Sequence, residues 1–248
     1  MKIFIAGGTS GIGFVLAQHY YQRGDDVGIC GRNLEKMSLE TPFKKYQVDV
    51  ADYALLAHAV ADFAADQTLD LFINCAGSYA EDVTQRITYD AAQAMLATNI
   101  LGTVNCFEVA RKQMQHQEKG HIVAIASAAG ILDYPNSSLY AKSKHSIISM
   151  AKAYQRALSP FGIAISIIAP GYVKTQKLQE LNHNNLSKKP FLVDEQVAVE
   201  EITKAIKEQK SLHIFPKKMK WLMKCLSFLP AFFLDFLMYQ KAQWMKIK

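Results

Sequence analysis

A tyrosine and a lysine four residues apart, Tyr140 and Lys144, form the pair in this sequence best suited to acid–base chemistry. On a helix this spacing places both side chains on one face, about one turn apart. A phenol with its ordinary pKa of about 10 is a weak base at neutral pH, but a nearby ammonium favours the phenolate and lowers that pKa. Ser127 stands 13 positions before Tyr140, directly after an apolar run. These groups predict proton exchange with, and hydrogen bonding to, an oxygen on which negative charge develops.

A glycine-rich turn is the second chemical feature, and it follows the first apolar run of the chain. Glycines permit a tight turn and close approach of the backbone to a diphosphate. The start of the next helix offers unpaired N–H groups and the positive end of its dipole. We predict a dinucleotide site here, with a purely structural turn as the alternative. The predicted contact residues are Gly7, Thr9, Ser10, Gly11, Ile12 and Gly13.

Cofactor choice is suggested by Arg32 and Asn33, which follow the second apolar run. No acidic residue stands there to accept hydrogen bonds from a free adenosine 2′-hydroxyl. A guanidinium pairs well with a phosphate, so the sequence predicts NADP(H), with NAD(H) less favoured. The alternative is that Arg32 only covers an exposed loop.

These residues require a frame that brings the ends of several segments together. Helix-length stretches with apolar residues at three- and four-residue spacing alternate with short apolar runs. This order predicts an α/β fold, a doubly wound parallel sheet of Rossmann type with helices on both faces. The predicted strands are Lys2 to Ala6, Asp26 to Cys30, Lys45 to Val48, Leu69 to Asn74, His121 to Ala126 and Ile163 to Ile168. The predicted helices are Ile12 to Arg23, Ala51 to Ala65, Tyr89 to Gln115 and Leu139 to Leu158.

The motifs and their order resemble those of the short-chain dehydrogenases/reductases, over roughly Met1 to Thr175. The spacing of Tyr140 and Lys144 is that family's YxxxK, and Ser127 lies at the usual distance before it. The resemblance implies a catalytic group of Asn99, Ser127, Tyr140 and Lys144, with Asn99 at a proton-relaying water and Lys144 also on the nicotinamide ribose. It implies further cofactor contacts at Asp49, Val50, Asn74, Ala76, Gly77, Pro170, Gly171, Val173 and Thr175. It also implies a homodimer or homotetramer.

Two positions depart from the family pattern. Ala6 stands where the family often has threonine, and Cys75 replaces the second asparagine of the motif that begins at Asn74. Both positions support the turn, so we expect altered local packing and retained activity.

The charge distribution and the cysteines narrow the possible partners. The net charge of +6 is accounted for by residues 216–248, which carry seven lysines and one acid. A basic tail interleaved with aromatic residues points to an anionic membrane or a partner, and not to nucleic acid. The four cysteines are widely spaced, with no metal-ligand pattern, and the first apolar run leaves no room for a secretion signal. We expect no metal site and a cytoplasmic protein.

The chain divides into one catalytic domain, 1–215, with a substrate lid at about 176–210, and a tail, 216–248. The apolar stretch Trp221 to Tyr239 is interrupted by Lys224, Pro230 and Asp235. These interruptions favour two helices lying in a membrane interface over a spanning helix. Alternatively, the tail covers the substrate pocket or a neighbouring subunit. Either arrangement predicts a lipophilic carbonyl or alcohol substrate. The alternative functions are an NAD-linked dehydrogenase of the same fold and a non-catalytic NADP(H)-binding redox sensor or scaffold.

Overall fold

The computed structural model describes residues 1–34, 41–65, 68–79 and 87–246, with side chains described as far as residue 238. Seven parallel strands form one sheet in the order β3-β2-β1-β4-β5-β6-β7. The order reverses between β1 and β4, as in a doubly wound sheet, and the predicted fold class is confirmed. The strands are β1 (Lys2–Ala6), β2 (Asp26–Gly31), β3 (Lys44–Gln47), β4 (Leu71–Asn74), β5 (Gly120–Ile125), β6 (Ile163–Pro170) and β7 (Leu212–Phe215).

The helices follow the strands as crossover connections. They are α1 (Gly11–Gln22), α2 (Tyr53–Ala64), α3 (Tyr89–Leu96), α4 (Gly102–Gln115), α5 (Leu139–Leu158), α6 (Gln176–Leu181), α7 (Glu195–Lys207), α8 (Lys217–Leu226) and α9 (Ala231–Lys246). The single helix predicted over Tyr89 to Gln115 is interrupted, because a π-helical turn over Ala97–Leu101 separates α3 from α4. Such turns occur mostly as single turns inside α-helices and are frequent at functional sites. This one contains Asn99.

Both faces of the sheet are buried, which explains why its strands are apolar almost throughout. Phe4 and Phe72 face α2, α4 and α5, whereas Ile3 and Ile5 face α1 and α7 on the other side. Side chains alternate between the two faces of each strand, so one strand serves both cores. The carboxyl ends of the strands are thereby held at one edge, where the predicted site residues lie.

The second half of the predicted lid is part of this core. Helix α7 packs against α1 and buries its apolar face, including Val199 and Ile202. The stretch that can act as a lid is therefore restricted to 176–194, which contains α6 and an isolated β-bridge between Val173 and Val193.

The tail forms two helices, as predicted, with the break at Pro230 just before α9. Their inner faces bury Met219, Met223 and Leu234 against Ala128 and Leu132, which follow β5. The tail therefore packs on the catalytic end of the domain. None of the helices among the described residues is both long enough and apolar enough to cross a membrane.

Candidate active site

The glycine turn is folded tightly against the ends of β2 and β4. The amide nitrogens of Gly7 and Gly8 both donate to the Cys30 carbonyl, at 2.9 and 3.1 Å. Gly7 has a φ of 74°, and a Cβ there would lie 2.6 Å from the Ala76 nitrogen. A Cβ at Gly13 would overlap the Gly7 carbonyl oxygen. The turn therefore accepts no side chain at these positions, and it presents the start of α1 to the edge of the sheet, as a diphosphate-binding turn requires.

The adenine end of the cleft is built from the residues after β2 and β3. Arg32 follows β2 and is exposed, and its carbonyl accepts a hydrogen bond from Gln47 Nε2 at 3.2 Å. The Asp49 carboxylate accepts from the Ala51 nitrogen at 2.9 Å, so it fixes its own turn. Val50 is buried, and its carbonyl accepts from Asn105 Nδ2 at 2.9 Å. These contacts hold the two loops in place beside the glycine turn.

Ser127, Tyr140 and Lys144 come together at the edge of the sheet. Ser127 follows β5, and Tyr140 lies in the first turn of α5, which Ser138 caps by accepting from the Ala141 nitrogen at 3.1 Å. The Ser127 hydroxyl lies close enough to the Tyr140 phenol to favour its ionised form. The Lys144 ammonium lies 5.9 Å from the centre of the Tyr140 ring and 3.4 Å from the Ile125 carbonyl oxygen. The three groups predicted to act together therefore share one site.

Burial dominates the electrostatics of this site. It raises the pKa of Tyr140 to about 12, although the nearby Ser127 hydroxyl acts in the opposite direction. It lowers the pKa of Lys144 to about 8, with Cys75 opposing this shift and Lys177 adding to it. The predicted lowering of the Tyr140 pKa depends on the positive nicotinamide ring as well as on Lys144, and it stays a prediction for the loaded enzyme.

Asn99 is hydrogen-bonded to three segments behind the catalytic group, the loop after β4, α4 and α5. Its Nδ2 donates to the Ser78 carbonyl at 2.9 Å and to Ser143 Oγ at 3.0 Å, and its Oδ1 accepts from the Ser78 nitrogen at 2.8 Å. Its carbonyl accepts from the Thr103 hydroxyl, which in turn accepts from Asn74 Nδ2 at 3.1 Å. The amide of Asn99 thus joins the end of β4 to α5. A role for Asn99 in water-mediated proton transfer stays a prediction.

Two further stretches complete the cleft. Asn74 Oδ1 accepts from the Ala76 nitrogen at 3.1 Å, and a Cβ at Gly77 would lie 3.1 Å from Lys144 Nζ, so a glycine here leaves room for the ammonium. After β6, Thr175 caps α6 by accepting from the Leu178 nitrogen at 3.2 Å. The remaining predicted residues here are Pro170 at the end of β6, Gly171, whose nitrogen donates to the Phe215 carbonyl, and the buried Val173.

Comparisons with known proteins agree with this geometry. Residues 1–186 match the family model described as short chain dehydrogenase. The chain belongs to the short-chain dehydrogenase/reductase family. Residues in that match include the glycine turn and the whole catalytic group, whereas β7, α8 and α9 lie outside it.

Relatives of this short-chain dehydrogenase/reductase include several reductases. The 3-oxoacyl-(acyl-carrier-protein) reductase FabG of Chlamydia trachomatis serovar D is 27% identical over 190 residues, which are 73% of this chain and 77% of the relative. Dehydrogenase/reductase SDR family member 7B of Mus musculus is 30% identical over 188 residues, which are 70% of this chain and 58% of the relative. Among solved structures, ElxO with NADP bound has a TM-score of 0.75 at 28% identity and covers 86% of this chain and 97% of its own. The chain is accordingly an oxidoreductase that uses NAD(P)(H).

Three residues near the site were not predicted from the sequence. Tyr79 packs edge-on against Tyr140, with ring centres 5.0 Å apart, and Tyr172 is close enough to contribute to the raised pKa of Tyr140. Burial lowers the pKa of Lys177, and the nearby Arg32 lowers it further. Lys177 in turn lowers the pKa of Lys144. A basic residue two positions after Thr175 was the signal that could have pointed to it.

Proposed function

We propose that this short-chain dehydrogenase/reductase is an NADPH-dependent reductase of lipophilic carbonyl compounds, or catalyses the reverse oxidation of the corresponding alcohols. The observation that carries the proposal is that Ser127, Tyr140 and the Lys144 ammonium lie together at the edge of the sheet that also carries the glycine turn. A protein that only senses or stores the dinucleotide has no need of this proton-transfer group.

In the reductive direction the bound cofactor supplies the hydride. Negative charge then develops on the carbonyl oxygen, and the hydroxyls of Ser127 and Tyr140 donate hydrogen bonds to it. Tyr140 transfers its proton to that oxygen and becomes a phenolate. Lys144 stabilises the phenolate, since a cation close to a phenol favours its charged form. Because burial raises the pKa of Tyr140, its phenol stays protonated until negative charge develops on the substrate oxygen.

The preference for NADPH over NADH rests on positive charge at the adenine end. Arg32 follows β2 and would pair with a 2′-phosphate, and the positive charge of Arg32 acts on Lys177, whose pKa it lowers. A guanidinium forms paired hydrogen bonds with a phosphate, and a lysine adds a point charge. ElxO, which is similar in structure, was solved with NADP bound, and this supports the same preference here.

A lipophilic substrate is favoured by the side chains near the catalytic group. Tyr79 and Tyr172 lie next to Tyr140, and Ala128 and Leu132 belong to an apolar cluster that begins one residue after Ser127. Apolar side chains around a few convergent polar groups are typical of small-molecule sites. Since the FabG relative is named for a 3-oxoacyl substrate, ketones on an acyl chain are the first class to test.

The test is a steady-state assay that follows NADPH consumption with a homologous series of ketones and 3-oxoacyl thioesters of increasing chain length. We expect turnover with NADPH and a kcat/KM that rises with chain length by roughly fourfold per methylene where the methylene is buried, which corresponds to about 0.8 kcal/mol. A flat chain-length profile would contradict the lipophilic substrate. Tight NADPH binding without turnover on any member would instead favour the sensor.

A further inference from the structure

The pair α8–α9 has one face fixed on the catalytic domain. Met219 and Met223 of α8 and Leu234 of α9 are buried against residues that follow Ser127. Asp235 adds a polar attachment, because its carboxylate accepts from the Asn136 nitrogen at 3.0 Å and from Asn136 Nδ2 at 2.6 Å. Asp235 therefore lies on the inner side of the helix pair, which faces the catalytic domain. The outer side of the pair is left without an acidic residue from Lys217 to Met238.

The outer face of α8 is basic and aromatic. Lys217, Lys220, Trp221 and Lys224 line one surface groove, and their spacing of three, one and three residues places them on one face of the helix. Trp221 is 64% exposed. The Lys224 ammonium lies 5.5 Å from the centre of the Trp221 ring, so cation and aromatic ring form one surface. This combination of amphipathic ring and lysines is typical of the membrane–water interface.

The outer face of α9 is apolar. Phe232 and Phe236 are four residues apart and 69% and 58% exposed, and Phe228 in the link between the helices is 77% exposed. Phe233 and Leu237 are also exposed. Over residues 231–238, where its side chains are described, α9 carries apolar side chains on both faces, although only the inner face is covered by the domain. Exposed apolar patches with a polar rim mark sites of protein or membrane contact.

We propose that the outer face of α8–α9 docks on an anionic lipid surface, with the phenylalanines of α9 inserted among the headgroups and the lysines of α8 over the lipid phosphates. A second copy of the chain suits this face less well, because among the described residues the face offers no acidic side chain to pair with the lysines of the other copy. A docked helix pair is consistent with the lack of a helix able to span the bilayer among the described residues. The proposal of membrane docking is argued only from the residues on the outer face of α8–α9. Its further consequence, supply of lipophilic substrate from the bilayer to the site beside Ser127, rests on the proposed function.

The first test measures sedimentation of the full chain with phosphatidylcholine vesicles, with and without phosphatidylglycerol. We expect binding to the anionic vesicles that weakens with added salt. Lys220→Gln with Lys224→Gln should weaken the partition coefficient roughly 30-fold, since each lysine near an anionic surface contributes about a fivefold factor. Lys119→Gln with Lys152→Gln changes the net charge equally at exposed positions outside the tail and should leave binding unchanged.

The second test removes the apolar contact. Phe232→Ser with Phe236→Ser should weaken binding to the anionic vesicles at least about tenfold. The control, Tyr89→Ser with Phe161→Ser, removes exposed rings elsewhere and should bind like the wild type. Equal binding of wild type and both tail variants, or no binding by the wild type, overturns the proposal. A wild-type dimer that the Phe232 and Phe236 changes convert to monomer, without vesicle binding, would assign the face to a second copy.

Activity in the same samples separates this inference from the proposed function. Reduction of a short, water-soluble ketone without vesicles should be the same in the wild type and in all four double variants, because none of these residues belongs to the catalytic group. Vesicle binding without any reductase activity would support the docking surface and contradict the function. Reductase activity without vesicle binding would support the proposed function and contradict the docking surface.

Discussion

Replacing Lys144 by methionine should stabilise the cofactor-free protein while it removes activity. Lys144 is buried, and burial lowers the pKa of its ammonium from 10.5 to about 8. Since each tenfold change in proton affinity corresponds to about 1.4 kcal/mol, the charged lysine costs the folded state about 3 kcal/mol at pH 7. Among the described residues, the ammonium has one long hydrogen bond, to the Ile125 carbonyl oxygen at 3.4 Å, to offset that cost. A methionine of similar shape avoids it.

The stability difference between Lys144→Met and the wild type should depend on pH. Between pH 8 and 10.5 the unfolded chain binds more protons at this lysine than the folded chain does, so wild-type stability rises with pH in that window. The advantage of Lys144→Met should therefore fall from about 3 kcal/mol at pH 7 to about 1 kcal/mol or less at pH 10.

Urea unfolding of the cofactor-free proteins at pH 7 and pH 10 measures both values. Lys142→Met is the control on the same helix, because Lys142 is a surface residue paired with Asp133 and its loss should change the free energy of unfolding by less than about 1 kcal/mol. A methionine variant that is less stable than the wild type at pH 7, or equally more stable at both pH values, would refute the reasoning.

Three other changes test separate parts of the cleft. Arg32→Ala should raise the KM for NADPH about 10- to 100-fold and leave that for NADH unchanged, since a charge-assisted hydrogen bond contributes about 1.5–3 kcal/mol; equal effects on both cofactors in steady-state assays would count against Arg32 as the selector. Gly13→Ala should abolish measurable NADPH binding by fluorescence titration, because the new Cβ overlaps the Gly7 carbonyl oxygen, and retained affinity would show that the turn does not hold the diphosphate. Asn99→Ala should lower the free energy of unfolding by about 2–4 kcal/mol, because it leaves both backbone groups of Ser78 without their partner; a loss below about 1 kcal/mol in urea unfolding would contradict this.

The sheet and the site were predictable from the sequence because both depend on short-range patterns. Five of the seven strands stand out as apolar runs, a sixth, β3, was predicted as Lys45 to Val48 although its observed sequence KKYQ is polar, and the catalytic pair is set by a four-residue spacing on one helix. The seventh strand, Leu212–Phe215, was missed because it is four residues long and its Leu212 is exposed, so no buried run marks it. The π-helical turn at Asn99 was missed because its neighbours have ordinary helical periodicity.

The remaining features depend on contacts between distant segments. Helix α7 was assigned to the lid because its sequence is polar overall, and only its packing on α1 shows that it belongs to the core. Tyr79 reaches the site from a loop and Lys177 from the short helix α6, and the sequence does not specify the course of either segment. The structure likewise separates the two faces of the tail, because the inner face covers the domain beside Ser127 while the outer face stays exposed.

The most direct test of the catalytic assignment is to compare Tyr140→Phe with the wild type in two measurements, NADPH binding by fluorescence titration and ketone reduction in the NADPH assay. The change removes one hydroxyl from a half-buried ring, so the fold and the cleft are retained. We predict a dissociation constant for NADPH within about twofold of the wild type and a loss of kcat of at least about 10²-fold, as expected when a general acid is removed. Wild-type turnover by Tyr140→Phe would contradict the account.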